Sequence, residues 1–277
     1  MHARDIILRE KAMSTTDVLS IICFVCSSTK EQILTRLTTE IDQVKLQEIE
    51  RFLDQRRNGK PLAYITKKRE FYSEDFIVDA NVLVPRPETE VLVEEALTIL
   101  GERRELSRIV DMGTGSGAIG LTIARRARKE VVCVDVSLAA LTVARQNARA
   151  LGVDKQAVFV CSDLFAGIRQ TEKFDMILSN LPYVASEEWD LLAKDVKDYE
   201  PKTALAGGPG GIEVYKRFSL EAPAHLARHG YMLCEIGGGE QASAVKGMFE
   251  SAGLKVVVKN DYAGTERVLI GSWINLS

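Results

Sequence analysis

The chain has 277 residues, of which 46% are hydrophobic and 27% charged, and its formal net charge is −3. This length suits a main domain with a smaller one, and the composition is that of an ordinary globular protein. This slightly acidic net charge argues against a nucleic-acid-binding domain, which usually carries a broad basic surface. It does not exclude a local basic patch.

The cysteines are odd in number and lie mostly in apolar runs, which predicts reduced, buried thiols and a cytoplasmic location. One C-x-x-C pair lies in the apolar run at residues 21–26, without the second half that a zinc or redox site needs. This run is too short to span a bilayer, so we predict a buried helix and no membrane association. The cysteines are Cys23, Cys26, Cys133, Cys161 and Cys234.

The first 58 residues show apolar positions three and four apart, which predicts helices. The clearest stretches are residues 30–40 and 44–59, and Gly59 with Pro61 gives a stop signal. Residues 63–84 then change to β-branched and aromatic residues around turn signals, as in a hairpin. We therefore divide the chain into a helical segment 1–62, a hairpin linker 63–87 and a main domain 88–277.

The main domain opens with an acidic helix over residues 90–100, and strands and helices then alternate. This order predicts an α/β fold with a mostly parallel, doubly wound sheet and one antiparallel edge pair. The predicted strands are residues 108–113, 130–137, 157–163, 174–180, 230–237, 255–261 and 267–273.

A glycine-rich turn, DMGTGSGAIG, follows the first of these strands. Its residues 113–117 (Gly113, Thr114, Gly115, Ser116 and Gly117) allow a tight turn and close approach of a ligand. Asp135 ends the next strand, where a carboxylate can accept hydrogen bonds from both hydroxyls of a ribose. The pair predicts a nucleoside cofactor, but the G-x-G-x-x-G match leaves a nicotinamide cofactor open.

Two further features lie at the ends of later strands. Asp163 is placed to contact an adenine edge, with Leu164 beside it to cover the ring. The tetrapeptide Asn180, Leu181, Pro182 and Tyr183 follows the fourth strand. Ligands of open α/β sheets bind beyond the carboxyl ends of the strands, so this tetrapeptide shares an edge with the glycine turn.

The tetrapeptide suits methyl transfer to an amide. An amide nitrogen is a poor nucleophile, so it must be held in line with an activated methyl group. The Asn180 side-chain oxygen and a backbone carbonyl can accept its two N–H bonds, while Tyr183 supplies an aromatic wall. A plain turn after a strand is the alternative interpretation of these four residues.

From about Gly59 onward, the chain contains in order the segments GKPLAYI, EFY, VLVPRPETE, DMGTGSGAIG, EPKTALAGGPGGIEVY, CEIGGGEQ and DYAGTER. In these segments it resembles the release factor N(5)-glutamine methyltransferase family.

The resemblance implies a Rossmann-like class I methyltransferase with a small all-α N-terminal domain for substrate recognition. It implies S-adenosyl-L-methionine as cofactor, S-adenosyl-L-homocysteine as product, and the glutamine of a Gly-Gly-Gln loop in peptide chain release factors as substrate. It assigns residues 113–117, Asp135, Leu164 and Asn180 to the cofactor and residues 180–183 to the glutamine. We expect a monomer that requires no nucleic acid.

Two positions depart from the family pattern. The family tetrapeptide is Asn-Pro-Pro-Tyr, and Leu181 replaces its first proline, which frees the backbone there. The Leu181 carbonyl is still an acceptor, so we expect a working but slower enzyme. Leu164 stands where relatives can carry an aromatic residue, which predicts weaker adenine stacking.

Other features favour no site. Glu221, His225 and His229 are four apart on a helix that we predict to end at Gly230, but a solvated helix end is favoured over zinc. The basic run at residues 125–129 is typical of a solvated helix end and predicts, at most, a contact with an acidic or ribosome-bound partner.

Three other functions stay open on sequence alone. A methyltransferase for an exocyclic amine of a nucleic acid base would use a similar tetrapeptide. A nicotinamide oxidoreductase explains the glycine turn but not Asn180. A cofactor-binding protein without transfer activity would follow if Leu181 disables the reaction.

Overall fold

The computed structural model describes residues 1–273, so residues 274–277 of the predicted main domain lie outside the described part. The helices are α1 (Ala3–Arg9), α2 (Thr15–Cys26), α3 (Lys30–Thr35), α4 (Gln43–Arg57), α5 (Leu62–Thr66), α6 (Glu90–Glu102), α7 (Ala118–Ala127), α8 (Leu138–Ala150), α9 (Lys194–Tyr199), α10 (Glu213–His225) and α11 (Gly239–Ser251). The strands are β1 (Lys68–Phe71), β2 (Glu74–Ile77), β3 (Ile109–Met112), β4 (Val131–Asp135), β5 (Ala157–Cys161), β6 (Phe174–Ser179), β7 (Val184–Ala185), β8 (Ala206–Gly208), β9 (Leu226–Glu235), β10 (Leu254–Asn260) and β11 (Glu266–Trp273).

The chain forms two compact units, of which the first comprises residues 1–68 and 193–199. Three of its helices begin at side-chain caps: Ser14 caps α2, Thr29 caps α3 and Asp42 caps α4. The apolar run at residues 21–26 lies in α2, as predicted, and the helix predicted over residues 30–40 ends early, at Thr35. The core of this unit consists mainly of aliphatic side chains: Ile6, Ile21, Ile22, Ile49 and Leu53.

Helix α9 belongs to this first unit although it comes late in the sequence. The Tyr199 hydroxyl donates to the Asn58 carbonyl oxygen at 3.1 Å. Gly59 follows with a φ of +94°, and a side chain there would contact Lys194 and Tyr199. The functional boundaries that we placed at residues 62 and 87 stay predictions.

The second unit, residues 69–192 and 200–277, contains a seven-stranded sheet in the order β10-β11-β9-β6-β3-β4-β5. Strands β9, β6, β3, β4 and β5 pair in parallel. Strand β11 is antiparallel to both β10 and β9, so the reversed strand lies inside the sheet rather than at its edge. This confirms the predicted α/β class with a mostly parallel sheet.

Two apolar clusters cover the two faces of this sheet. Ile109 and Met176 belong to one cluster, and their neighbours Val110 and Ile177 belong to the other. Side chains along a strand alternate between faces, so both faces are buried. Helices α6 and α7 contribute to the first cluster, and α10 and α11 contribute to the second.

The strand register places the predicted functional segments at one edge. Met112, the last residue of β3, pairs with Val134 of β4 and with Ser179 of β6. The chain runs from β3 to β4 on one side and returns to β6 on the other. The glycine turn and the Asn180 tetrapeptide therefore leave neighbouring strands where the strand order reverses, which is where open α/β sheets bind ligands.

The helix that we predicted to end at Gly230 ends instead at His225, and His229 lies in β9. Pairing of β9 with β6 begins at Leu226, and sheet pairing therefore ends the helical pattern. The His225 ring stacks on Phe165 at 4.5 Å, and its Nδ1 contacts the Glu172 carbonyl oxygen at 2.9 Å. His225 is a packed core residue.

The cysteines differ in their exposure. Cys133 and Cys234 are buried, as predicted, and Cys23 and Cys26 are half-buried. Cys161 is exposed, so the prediction of burial is wrong at this position. It ends β5, an edge strand with a neighbour on one side alone.

Candidate functional site

A cleft opens at the carboxyl edge of the sheet, entirely within the second unit. It has about 1120 Å³ of free space, including its mouth toward solvent. Gly117 and Tyr183 are not among the residues that line it. The predicted site residues that do line it are Gly113, Thr114, Gly115, Ser116, Asp135, Asp163, Leu164, Asn180, Leu181 and Pro182.

The glycine turn is built from residues in the left-handed region of backbone space. Gly113 has a φ of +75° and Gly115 a φ of +54°, and neither value suits other residues. Gly117 precedes α7, and a Cβ there would lie 2.5 Å from a Leu121 side-chain carbon. The turn therefore requires glycine for its backbone path and for its packing on α7.

A buried carboxylate supports the glycine turn. Asp111 Oδ2 accepts hydrogen bonds from the Thr114 hydroxyl at 2.6 Å and from the Gly120 N–H at 2.9 Å. Burial raises the pKa of Asp111 to about 6, although both hydrogen bonds oppose that shift. Asp111 Oδ1 has no partner among the described residues. Sequence reasoning quoted this residue within the turn but gave it no role.

Asp135 lies across from the turn and is the residue most suited to a ribose. Its Oδ2 accepts the Gly115 N–H and its Oδ1 accepts the Ser137 N–H, both at 2.9 Å. Burial raises the pKa of Asp135, and these backbone amides oppose the shift. A carboxylate has about four acceptor positions, so capacity remains for two hydroxyl groups. The cleft thus fits a nucleoside cofactor.

The two residues predicted to contact the adenine, Asp163 and Leu164, differ in their environment. Asp163 Oδ2 pairs with Arg217 at 2.7 Å on the rim of the cleft. Leu164 is buried with a φ of +46°, a strained value that is typical of functional sites when a leucine adopts it. Val136, which sequence reasoning missed, lines the cleft with 60% of its surface exposed. An exposed apolar side chain of this kind can cover an adenine ring.

Asn180 follows β6, which pairs with β3 on the side away from β4, the strand that ends at Asp135. Its Nδ2 donates to the Thr89 hydroxyl oxygen at 3.3 Å, and no described residue donates to its Oδ1. Leu181 is 3% exposed, and a Cβ on Gly113 would lie 3.1 Å from its Cδ2. The leucine that departs from the family pattern therefore packs against the glycine turn.

Tyr183 is held by its hydroxyl and by its backbone. Its hydroxyl donates to Glu235 Oε1 at 3.2 Å, and burial raises its pKa. Gln241 Nε2 donates to the carbonyl oxygens of Tyr183 and Gly211, at 2.9 Å and 3.0 Å. The aromatic-wall role of Tyr183 stays a prediction.

Sequence reasoning missed three supporting side chains: Thr89, Glu235 and Gln241. All three lie in the segments VLVPRPETE and CEIGGGEQ, which carry the family resemblance. That resemblance was the available signal, since no spacing rule links residues so far apart in the chain.

An ion pair orders the segment before α6 at the edge of the cleft. The Arg86 guanidinium contacts Glu200 at 2.6 Å, and the Val84 N–H donates to the same carboxylate at 3.2 Å. The Glu200 side chain is 2% exposed, which protects this pair from solvent. Arg86 lines the cleft and is a further residue without a predicted role.

Residues 1–273 show neither a metal cluster nor a membrane-spanning helix. No three or more of the histidine, cysteine, aspartate and glutamate side chains in this range are grouped to hold a metal ion. No helix in the same range combines the length and apolar character needed to cross a membrane.

Comparison with known proteins gives consistent matches. The family models "PrmC N-terminal domain" and "Methyltransferase small domain" match residues 7–66 and 88–197. The release factor glutamine methyltransferase of Clostridium acetobutylicum is 36% identical, over 90% of this chain and 88% of the relative. The protein of the same name from Koribacter versatilis is 41% identical, over 78% and 76%.

Solved structures show the same fold at low sequence identity. The N-terminal domain of human METTL16 in complex with SAH matches with a TM-score of 0.53 and 16% identity. The match covers 72% of this chain and 76% of that structure.

Proposed function

The chain belongs to the release factor glutamine methyltransferase family, and from this premise we infer that its acceptor is the glutamine of a release factor Gly-Gly-Gln loop. It is an S-adenosylmethionine-dependent methyltransferase of side-chain amide nitrogen. S-adenosylhomocysteine is the second product.

One observation carries the proposed chemistry: the orientation of the Asn180 carboxamide. Its nitrogen is engaged by Thr89, and no described residue donates to its oxygen. Asn180 also lines the same cleft as the glycine turn. A free amide oxygen at this place can accept an N–H bond of an incoming amide.

When bound, S-adenosylmethionine supplies a methyl group on a positively charged sulfur. The Asn180 oxygen and a backbone carbonyl of the tetrapeptide hold the two N–H bonds of the glutamine amide, which fixes the nitrogen in line with that methyl group. Such positioning lowers a barrier by up to about 7–11 kcal/mol. Methyl transfer would form the new N–C bond and break the S–C bond, which leaves S-adenosylhomocysteine, and the nitrogen would release one proton to solvent, so that the acceptor becomes a secondary amide.

The opposite side of the cleft holds the cofactor. The Asp135 carboxylate binds the ribose hydroxyls, and the glycine turn lets the backbone approach the rest of the cofactor closely. Leu164 and Val136 cover the adenine ring, while Asp163 contacts its edge. Backbone amides already hold Asp135 in place, so little reorganisation is needed on binding.

We assign the remaining roles by segment. Residues 1–62, which include most of the region matched by the PrmC N-terminal domain, recognise the release factor. Residues 63–87 are the linker, and residues 88–277 are the catalytic domain. The enzyme acts as a monomer in the cytoplasm, where its substrate is found, and needs no nucleic acid.

A labelling experiment tests this function. The chain is incubated with methyl-labelled S-adenosylmethionine and, in separate reactions, a release factor, its Gly-Gly-Glu variant and nucleic acid. Label in the unaltered release factor alone is the expected result. Label in nucleic acid would support the base methyltransferase instead. Cofactor binding without label in any substrate would support a binding protein that Leu181 has disabled.

A further inference from the structure

Behind Asn180 lies a set of buried polar side chains from distant parts of the chain. Ser179 of β6 pairs with Cys234 of β9, and the two strands are parallel. Asn180 and Glu235, the next residue of each segment, therefore lie at the same sheet edge. Thr89, 4% exposed, comes from the segment before α6 and reaches the same place.

The hydrogen bonds of Thr89 determine whether Glu235 must accept or donate a hydrogen bond. Its oxygen accepts the Asn180 Nδ2–H, so its own proton is left for another acceptor. Glu235 is fully buried, and its Oε2 has no partner within ordinary hydrogen-bond geometry. Thr89 is nevertheless close enough to favour the ionised form of Glu235 and lower its pKa. Glu235 is thus the available acceptor for the Thr89 proton.

We propose that Thr89 and Glu235 are positioning residues that fix the orientation of the Asn180 carboxamide. Glu235 accepts the Thr89 proton, Thr89 accepts the Asn180 Nδ2–H, and the Asn180 oxygen is left to face the substrate. This proposal deepens the proposed function and rests on it, since the substrate is taken to be an amide donor.

The orientation matters because a carboxamide has two nearly isosteric orientations. One presents an oxygen to the cleft, and the other presents an N–H group. An incoming amide nitrogen carries N–H bonds, so an N–H group at Asn180 would repel it. The Thr89–Glu235 pair selects the productive orientation, because an ionised carboxylate only accepts hydrogen bonds.

The charge on Glu235 depends on its surroundings. Burial raises its pKa to about 7, with Glu88 acting in the same direction. Thr89, Arg267 and the Tyr183 hydroxyl act in the opposite direction. Glu235 therefore ionises near neutral pH, and the pair supports Asn180 fully once the pH exceeds this value.

The first test removes the Thr89 hydroxyl at constant shape. T89V should lower kcat about 10- to 100-fold, the range expected when a reacting group is misplaced by up to about 1 Å. The cofactor Kd should stay within about threefold, because the glycine turn is untouched. T89S, which restores the hydroxyl, should recover most of kcat. T98V, on the exposed face of α6, is the matched control and should keep full activity.

A kcat for T89V equal to that of the unaltered chain would overturn the proposal. T89S as slow as T89V would also overturn it, because the effect would then come from packing rather than from the hydroxyl.

The second test alters the charge of Glu235. The kcat of the unaltered chain should rise with pH through about 7, and E235Q should lose this rise. E102Q, an exposed control at the end of α6, should keep it. Asp111 and Asp135 also have raised pKa values, so a rise that persists in E235Q would assign the titration to them and overturn the role of Glu235.

A third measurement does not need activity. In nitrogen-15-labelled protein with S-adenosylhomocysteine bound, one Asn180 side-chain N–H proton should exchange slowly with solvent, and T89V should speed that exchange. Equal exchange in both proteins would overturn the pair. If the unaltered chain methylates no release factor while the protection is present, the proposed function fails and the pair stands.

Discussion

The two sides of the cleft are held by different kinds of contact. On the glycine-turn side, Thr114, Gly115 and Gly120 donate to carboxylates 3, 20 and 9 residues away in sequence. On the Asn180 side, the contacts join residues 91 and 52 positions apart, Asn180 with Thr89 and Tyr183 with Glu235. On the proposed cofactor side, the glycine turn and Asp135 are held by local and mostly backbone contacts, whereas the proposed substrate side is assembled by side chains from distant segments.

This difference matches the two tasks. A ribose and a sulfonium need a preformed surface of fixed shape, which backbone amides and glycine provide. An acceptor amide needs one oxygen at one place, and a side-chain amide can supply it only when its orientation is fixed. Mutations on one side should therefore change cofactor affinity, and mutations on the other side should change kcat.

Asn180→Ala should produce the largest effect and break the substrate side alone. The change removes the acceptor that we propose for the glutamine N–H, so kcat should fall at least about 100-fold. The cofactor Kd should change little, as measured by calorimetry. N260A, an exposed residue of β10, is the control. Unchanged turnover in Asn180→Ala would remove this residue from the mechanism.

Asp135→Ala should break the cofactor side alone. Each lost charged hydrogen bond, at about 1.5–3 kcal/mol, weakens cofactor binding about 10- to 100-fold, so the variant should bind the cofactor at least about 10-fold more weakly. At saturating cofactor, kcat should approach that of the unaltered chain. D154A, an exposed residue outside the cleft lining, is the control. A fall in kcat equal to that of Asn180→Ala would show that the two sides are not separable.

Glu235→Gln should show that the buried charge of Glu235 lowers the stability of the fold. Burial raises the pKa of Glu235 from its ordinary 4.5 to about 7. The folded chain therefore favours the protonated form, and stability that is present below pH 4.5 is lost as the pH rises through 7. Removing the charge should raise the free energy of unfolding at pH 8 by about 1–3 kcal/mol, with no gain at pH 4.

Denaturant unfolding of Glu235→Gln and of the exposed control E102Q at both pH values checks this. If Glu235→Gln is less active but more stable at pH 8 than the unaltered chain, Glu235 serves function at a cost in stability. Equal gains at pH 4 and pH 8 would contradict the ionisation of Glu235 in the folded chain.

Leu181→Pro should have the smallest effect. It tests the place where the Asn180 tetrapeptide contacts the glycine turn. The buried Leu181 side chain packs against Gly113, so the change removes apolar contacts worth about 0.8 kcal/mol per buried methylene. Proline also removes the Leu181 N–H, which acts on the buried Tyr215 hydroxyl, and offsets about 0.4–1 kcal/mol of these losses by restricting the unfolded chain. The net loss should be about 1 kcal/mol in denaturant unfolding, with kcat preserved or raised. A marked fall in kcat would contradict this view of position 181.

The same contrast explains what could be predicted from the sequence. The glycine turn and Asp135 were predicted because their geometry is encoded within about one βαβ unit. Asn180 was proposed because it follows a recognisable strand. Thr89 and Glu235 carry no local signal for their roles, since only strand order and register bring them to Asn180.

The errors have a similar cause. His229 was predicted in a helix that ends at Gly230, but pairing of β9 with β6 starts at Leu226. Cys161 was predicted to be buried because its run is apolar, but β5 is an edge strand. Helix α9 groups with residues 1–68, which no local pattern at residues 193–199 indicates.

The most direct measurement is a crystal structure of the chain with S-adenosylhomocysteine and a release factor Gly-Gly-Gln loop. We expect the glutamine amide nitrogen within about 2.7–3.2 Å of Asn180 Oδ1 and facing the cofactor sulfur, with Asn180 Nδ2 still donating to Thr89. An Asn180 side chain turned away from the glutamine, or one that presents its nitrogen to it, would contradict the proposed role of the substrate side of the cleft.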